Sequence, residues 1–317
     1  MKRLALLIAS SLLLATCAQA GSFSPKLSAR GAAEAPQTFP LPSPWPASDA
    51  TTGPAHSRVV AEEVHSALLG HRIRVLVYLP PGYSTANPYP TLFLLHGVPG
   101  TPDDMFQGLD LQNRLDHLIR RGSLPPTVVV VPTGGPTPST DTEWSDSAVD
   151  PTQRWGSFLS DELVPWVDRT FSTCTDRRDR AVAGLSMGGF GAMNLALKHR
   201  DLFGTVSSWS GYFEANTPSV EGRPGSPGWV RDSPIDYVVS LTPSLARNAP
   251  RMSFYVGDAD RFLRTNQRFD RVLAEPGVPH RFRVLPGGHD WTLWKGQLNT
   301  ELTWIGRADT CRAPLSN

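Results

Sequence analysis

The stretch Arg180-Ala-Val-Ala-Gly-Leu-Ser-Met-Gly-Gly-Phe-Gly-Ala-Met193 constrains this chain more than any other. An apolar run, Ala181 to Leu185, meets Ser186, which has Gly184 and Gly188 two positions away on either side, and small residues follow. A serine held on so sharp a strand-to-helix turn brings those two flanking positions together, so both must be small. The pentapeptide Gly-x-Ser-x-Gly also suits an ordinary glycine-rich turn, and the rest of the chain has to decide between the two.

The chain has 317 residues, of which 40% are hydrophobic, enough for one large α/β domain without a second core. Residues 1–20 begin with Lys2 and Arg3, run through the apolar stretch Leu4 to Ala15 and end in Ala18-Gln19-Ala20. This is the pattern of a secretory signal peptide with an A-x-A cleavage site, too short for a membrane span, so a secreted or periplasmic protein without stable membrane insertion is expected. Leu14-Ala15-Thr16-Cys17 also resembles a lipoprotein box that would anchor the chain through Cys17, but Thr16 stands where a smaller residue is usual, and the A-x-A site is the better match. The formal charge of +1 becomes −1 once Lys2 and Arg3 leave, and no basic stripe argues for a nucleic-acid partner. Cys174 and Cys311 then remain, and in an exported chain an even pair suggests a disulfide tying the C-terminal tail to the region before Ser186, two buried thiols being the alternative. No C-x-x-C or H-x-x-x-H spacing suggests a metal, and no cofactor is expected.

Residues 21–57 are rich in Pro, Ala and Ser and read as a linker or wrapping arm, leaving 58–317 as the folded domain. Strand patterns cover Arg58 to Ser66 and Arg72 to Leu79, with Leu69-Gly70 as a hairpin turn. Thr91 to Leu95 and Val128 to Val131 are apolar on both faces, as buried parallel strands are. Helical spacing marks Leu111 to Ile119, Trp155 to Phe171 and Met187 to Lys198. Between these, Thr133 to Gln153 is long and polar and is expected to line a site, with Trp144 either stacking on a substrate or anchoring the loop. Thr205 to Trp209 reads as a strand. From Gly211 to Pro250 the abundance of Gly and Pro predicts a loop-rich insertion, a cap over the strand ends. Strands at Met252 to Val256 and Arg281 to Leu285 follow, with helices at Phe262 to Leu273 and Thr292 to Ile305.

Three signals outside the turn then bear on Ser186. His96-Gly97-Val98 directly follows a buried strand, where a backbone donor for an oxyanion is required; the donors are assigned to the N–H groups of Val98 and Met187, with His96 as a prop for its loop. Gly257-Asp258-Ala259-Asp260 follows the next-to-last strand, and Gly287-Gly288-His289 follows the last. Serine, acid, histidine, each after its own strand, is the chain order of an α/β hydrolase: a mostly parallel central sheet with helices on both faces. Ser186 is then the nucleophile and His289 the base, and the acid is Asp260 or Asp258; Asp260 is preferred because a residue three past Gly257 can turn back across the loop while the other caps the following helix.

With those residues in view, the chain from about Val59 to Ile305 resembles the esterase D-type "putative esterase" family. That group includes S-formylglutathione hydrolases, feruloyl and acetylxylan esterases, enterochelin esterases and mycolyltransferases. The resemblance lies in Val77-Tyr-Leu-Pro-Pro-Gly-Tyr83, Leu94-Leu-His-Gly97, Gly184-Leu-Ser-Met-Gly-Gly-Phe-Gly-Ala192, Gly257-Asp-Ala-Asp260 and Gly287-Gly-His-Asp-Trp291. It implies Ser186, Asp260 and His289 as the catalytic triad, Val98 and Met187 as oxyanion amides, and a small-molecule or polysaccharide-linked ester as substrate; Trp144 and Trp291 are candidates to touch it. The expected activity is that of an exported serine ester hydrolase. The alternatives are acyl transfer to a sugar or other alcohol, and a non-catalytic binding module on the same scaffold. After the serine, Gly188-Gly189 departs from the mycolyltransferases, and cytosolic S-formylglutathione hydrolases lack an export signal.

Overall fold

In a computed structural model of the chain, residues 56–307 and Cys311 are described; the expected signal peptide and nearly all of the expected linker lie outside them. Strands β1 (Arg58–Ser66) and β2 (His71–Leu79) pair antiparallel from Arg58 opposite Leu79 to Ser66 opposite His71. β3 (Thr91–Leu95), α1 (Pro102–Leu109), α2 (Leu111–Arg120) and β4 (Val128–Pro132) follow. Residues 155–170 form one helical rod made of α3 (Trp155–Ser157), a π-helical turn over Phe158–Leu163 and α4 (Val164–Thr170). The widened turn lies just before Pro165, which has no N–H to give an ordinary helical bond. Then come β5 (Arg180–Leu185), α5 (Met187–Lys198), β6 (Thr205–Trp209), α6 (Pro218–Glu221), α7 (Pro227–Asp232), α8 (Pro234–Asn248), β7 (Arg251–Gly257), α9 (Leu263–Ala274), β8 (Arg281–Leu285) and α10 (Trp291–Gly306).

These eight strands make one sheet in the order β1-β2-β4-β3-β5-β6-β7-β8, antiparallel from β1 to β4 and parallel from there on. The apolar runs of β3, β4 and β5 are continuous because both faces are covered. Phe93, Leu95, Val130 and Val182 point into a core under α3 to α5, α8 and α9, while Leu92, Leu94, Val131 and Ala183 point into a second core under α1, α2 and α10. Successive strands are added to one side of β3 up to β4 and to its other side from β5 on, and the loops leaving the carboxyl ends of β3 and β5 meet at that switch point, where open α/β sheets bind ligands. No helix among the described residues is long and apolar enough to cross a membrane.

Two sequence expectations change here. Residues 211–250 are largely helical, and the prolines read as breakers explain why: Pro218, Pro227 and Pro234 each begin a helix, the position where a fixed φ helps and a missing N–H costs nothing. In addition α8 lies along α5 and α9, while Asn216 and Thr217 hold the loop that leaves β4. Helix α1, absent from the sequence reading, did carry a start signal: Thr101 caps Asp104 N–H, with Pro102 and two acids in the first turn.

Candidate active site

The site is built at the β5–α5 turn. Ser186 has φ 54° and ψ −120°, a conformation a side chain rarely adopts, held by its N–H to Trp209 O (2.9 Å) and by its carbonyl, which accepts from Gly189 and Phe190. The close approach is what demands glycine. A methyl group on Gly188 would lie 2.1 Å from Leu95 O, and one on Gly184 would lie 2.4 Å from Gly188. Neither could be accommodated without moving backbone.

Above the turn, Ser186 Oγ lies 2.9 Å from His289 Nε2, and His289 Nδ1 lies 2.9 Å from Asp260 Oδ2. A carboxylate can only accept, so Nδ1–H donates to Asp260 and Nε2 is free to accept the serine hydroxyl. Burial pushes the Asp260 carboxyl up, but hydrogen bonds from His289 and from Phe262 N–H outweigh it and hold the acid below its usual range. The imidazole is clamped edge-on by Phe262 (5.3 Å) and Trp294 (5.1 Å). Asp290, next in sequence, caps α10 by accepting from Leu293 N–H, so the histidine is anchored to a helix start.

The structure also separates the two acids that the sequence left open. Asp258 N–H donates to Leu285 O (2.8 Å), Ala259 N–H to Gly287 O (3.0 Å), and Asp258 Oδ1 accepts from Gly287 N–H (3.0 Å). Asp258 therefore stitches the acid loop to the histidine loop, where the sequence reading had it capping a helix. Asp260 faces His289.

His96 is a strut between loops: Nδ1–H donates to Gly97 O (2.7 Å), and Nε2 accepts from Gly134 N–H (2.9 Å). Burial lowers its pKa, which keeps it neutral and able to play both parts. The segment it supports sits against the serine, since a methyl on Gly97 would come within 3.1 Å of Ser186 Cβ. Val98 lines the cavity there, and Met187, as the first residue of α5, has an N–H with no partner inside the helix.

Trp144 is placed differently from the substrate-stacking expectation. It is 1% exposed, its Nε1–H donates to His96 O (3.1 Å), and it fills the space left by Gly134 and Gly191. No face is open to a ligand, so Trp144 anchors its loop. The cavity at Ser186, about 360 Å³, takes no wall from residues 133–153 or 211–250. Its walls come from the β3 loop, from Asp104 and Met105 of α1, from Arg261, and from Trp291 and Trp294 of α10. No motif in the sequence marks Arg261, and only the capping pattern of Thr101 to Asp104 marks α1. Trp291, the other candidate for substrate contact, is 37% exposed and faces that cavity.

Cys174, Asp179 and Cys311 form the one cluster of metal-type ligand residues among the described residues, but the cysteines are joined in a disulfide and have no thiolates to offer.

Residues 66–305 match the family model "Putative esterase". The esterase Rv1288 of Mycobacterium tuberculosis is 29% identical over 256 residues, which is 71% of this chain and 54% of that protein, so the chain spans about half the length of this curated relative. Among solved structures, a ferulic acid esterase superposes with a TM-score of 0.72 at 28% identity, covering 80% of this chain and 100% of its own. The S-formylglutathione hydrolase of Staphylococcus aureus superposes with a TM-score of 0.66 at 21% identity, covering 79% and 99%, a likeness of fold. The chain is a member of the putative esterase family of α/β hydrolases.

Proposed function

We propose that the chain is an exported serine carboxylic-ester hydrolase working through an acyl-enzyme. The observation that carries this reading is the row Ser186–His289–Asp260, with 2.9 Å at each step, at an open cavity beside a helix N-terminus. As Ser186 Oγ attacks the ester carbonyl, His289 Nε2 takes its proton, and Asp260 holds the ring and stabilises the imidazolium. The tetrahedral oxyanion is received by the amides of Val98 and Met187, each worth about 3 kcal/mol when lost, with the positive end of α5 behind it. The C–O bond to the alcohol then breaks, and the alcohol leaves with the proton from Nε2. Water enters the solvent-open cleft, gives its proton to Nε2 and attacks the acyl carbon; return of that proton to Ser186 releases the acid.

Export is supported by the Cys174–Cys311 disulfide, which persists in oxidising compartments. The ferulic acid esterase likeness and the aromatic wall at Trp291 support an aromatic or short acyl ester as substrate. The test is hydrolysis of p-nitrophenyl acetate together with labelling by a fluorophosphonate probe. Ser186→Ala should lower turnover by about 10⁴-fold or more and abolish labelling. Undiminished turnover in that variant would overturn the assignment.

A further inference from the structure

A second groove, of about 390 Å³, adjoins the cavity at Ser186 and shares Trp291 with it. It is lined by Gly108, Arg114, Trp291, Thr292, Lys295 and Gly296. Both charged side chains in it are cations, and no carboxylate lines it. Among the described residues, neither the Arg114 guanidinium nor the Lys295 ammonium has a hydrogen bond or ion pair within the protein. An anion in that groove would meet positive charge from both, with no lining carboxylate to oppose it.

Trp291 is presented as a platform. Its indole packs edge-on against Trp294 at 5.3 Å, and a methyl on Gly108 would meet it at 2.7 Å, so α1 lies directly against the ring and fixes its position. More than a third of the side chain nonetheless faces solvent. Gly296 sits mid-helix in α10, with no atom within 4 Å of where a Cβ would be. Packing therefore does not require glycine there, and glycine at such a position costs about 1 kcal/mol relative to alanine. What it provides is an open floor beside the platform. An exposed indole face suits the C–H face of a pyranose ring, the Thr292 hydroxyl suits a sugar hydroxyl, and the two cations suit a carboxylate.

We propose that this groove is a leaving-group subsite for an anionic sugar: the alcohol of the scissile ester belongs to a saccharide bearing a carboxylate, stacked on Trp291 and held by Arg114 and Lys295. The shared tryptophan puts that sugar next to the ester at Ser186, so the proposal rests on the esterase reading and names its substrate class.

The experiment compares acetylated tetragalacturonate, acetylated xylotetraose and p-nitrophenyl acetate, the last having no sugar to reach the groove. Wild-type kcat/KM should favour the acidic over the neutral saccharide by about tenfold, the scale of two partly exposed ion pairs, and salt should erode the preference. The double variant Arg114→Gln/Lys295→Gln should lose it through KM, with kcat and p-nitrophenyl acetate turnover unchanged. Gly296→Leu, a favourable helix substitution that fills the groove, should weaken both saccharide esters and spare p-nitrophenyl acetate. Equal turnover of the two saccharides by the wild type, or an unchanged KM in the double variant, overturns the subsite. Failure of all three esters would instead sink the esterase reading. Calorimetry of unacetylated tetragalacturonate with Ser186→Ala then still decides the groove, by binding that the added charge substitutions abolish or leave intact. Inorganic phosphate binding as tightly as tetragalacturonate would mark a bare anion site and overturn the sugar assignment.

Discussion

Asp258 and Asp260 are chemically identical, two residues apart on one loop, and do different work. Asp260 Oδ2 faces His289, whereas Asp258 accepts from Gly287 N–H and joins the acid loop to the histidine loop. Asp260→Asn would present an amide to Nδ1 and favour the wrong tautomer, so kcat for p-nitrophenyl acetate should fall by about 10⁴-fold. Asp258→Asn keeps an acceptor for Gly287 and should cost less than about tenfold. The reverse ranking would move the acid role to Asp258. Because the hydrogen bonds from His289 and Phe262 hold Asp260 below the usual carboxylate range, the acid stays ionised as pH falls past the ordinary value for aspartate. Loss of activity on acidification should therefore not follow the titration of an ordinary aspartate.

Among the elements, the loop over residues 133–153 and the stretch after β6 are held together by buried carboxyls. Glu143 Oε1 accepts from Asn216 N–H (2.7 Å), Asp141 Oδ2 from Thr217 Oγ1 (2.9 Å), and Ser145 donates to Glu221. Burial drives the Glu143 pKa up to about 8, only partly opposed by the Asn216 amide. The folded state thus holds a proton that the unfolded chain gives up near the ordinary glutamate value of about 4.5. Between those two values the native state binds more protons, so stability should fall as pH rises through that window and level off above it. The contribution is about 5 kcal/mol at most, and Tm should drop by roughly 10 °C from pH 5 to 9. Glu143→Gln, neutral at every pH, should flatten that part of the curve; an unchanged slope in thermal melts would show that Glu143 is not its source. Burial of these acids was not legible in the sequence, where Asp141 to Asp146 read as a polar, site-lining loop. What buries them is the 211–250 stretch, some 70 residues further on.

At the scale of the molecule, the two ends of the central strands form two edges, one carrying the proposed catalytic residues and the other the disulfide. Ser186 follows the end of β5, while the Cys174–Cys311 disulfide lies near its start, where Cys174 N–H donates to Tyr89 O and Cys311 N–H to Asp179 Oδ1 (2.8 Å). A six-residue strand separates the two edges by about 20 Å. Reduction, or Cys174→Ser, opens a closure between residues 137 apart and should cost about 2–4 kcal/mol. It should lower Tm while leaving kcat at 25 °C within about twofold of the intact protein. A large fall in kcat without unfolding would mean that the edge carrying the disulfide reaches the site.

Local pattern by itself determined the parallel strands, the turn at Ser186 and the order serine, acid, histidine. Apolar runs of five or so residues bounded by Gly and Pro are too short for buried helices and suit strands covered on both faces, and glycines two positions either side of a serine meet the steric requirement of a sharp turn. Tertiary structure alone decided what packs against what. It set Asp260 against His289 and Asp258 against Gly287, buried Trp144 where the sequence allowed a substrate contact, made helices of a proline-rich stretch, and brought α1 and α10 together around Trp291. Those outcomes depend on contacts between residues distant in the chain, and no periodicity or motif within one segment encodes the partner that a side chain will meet.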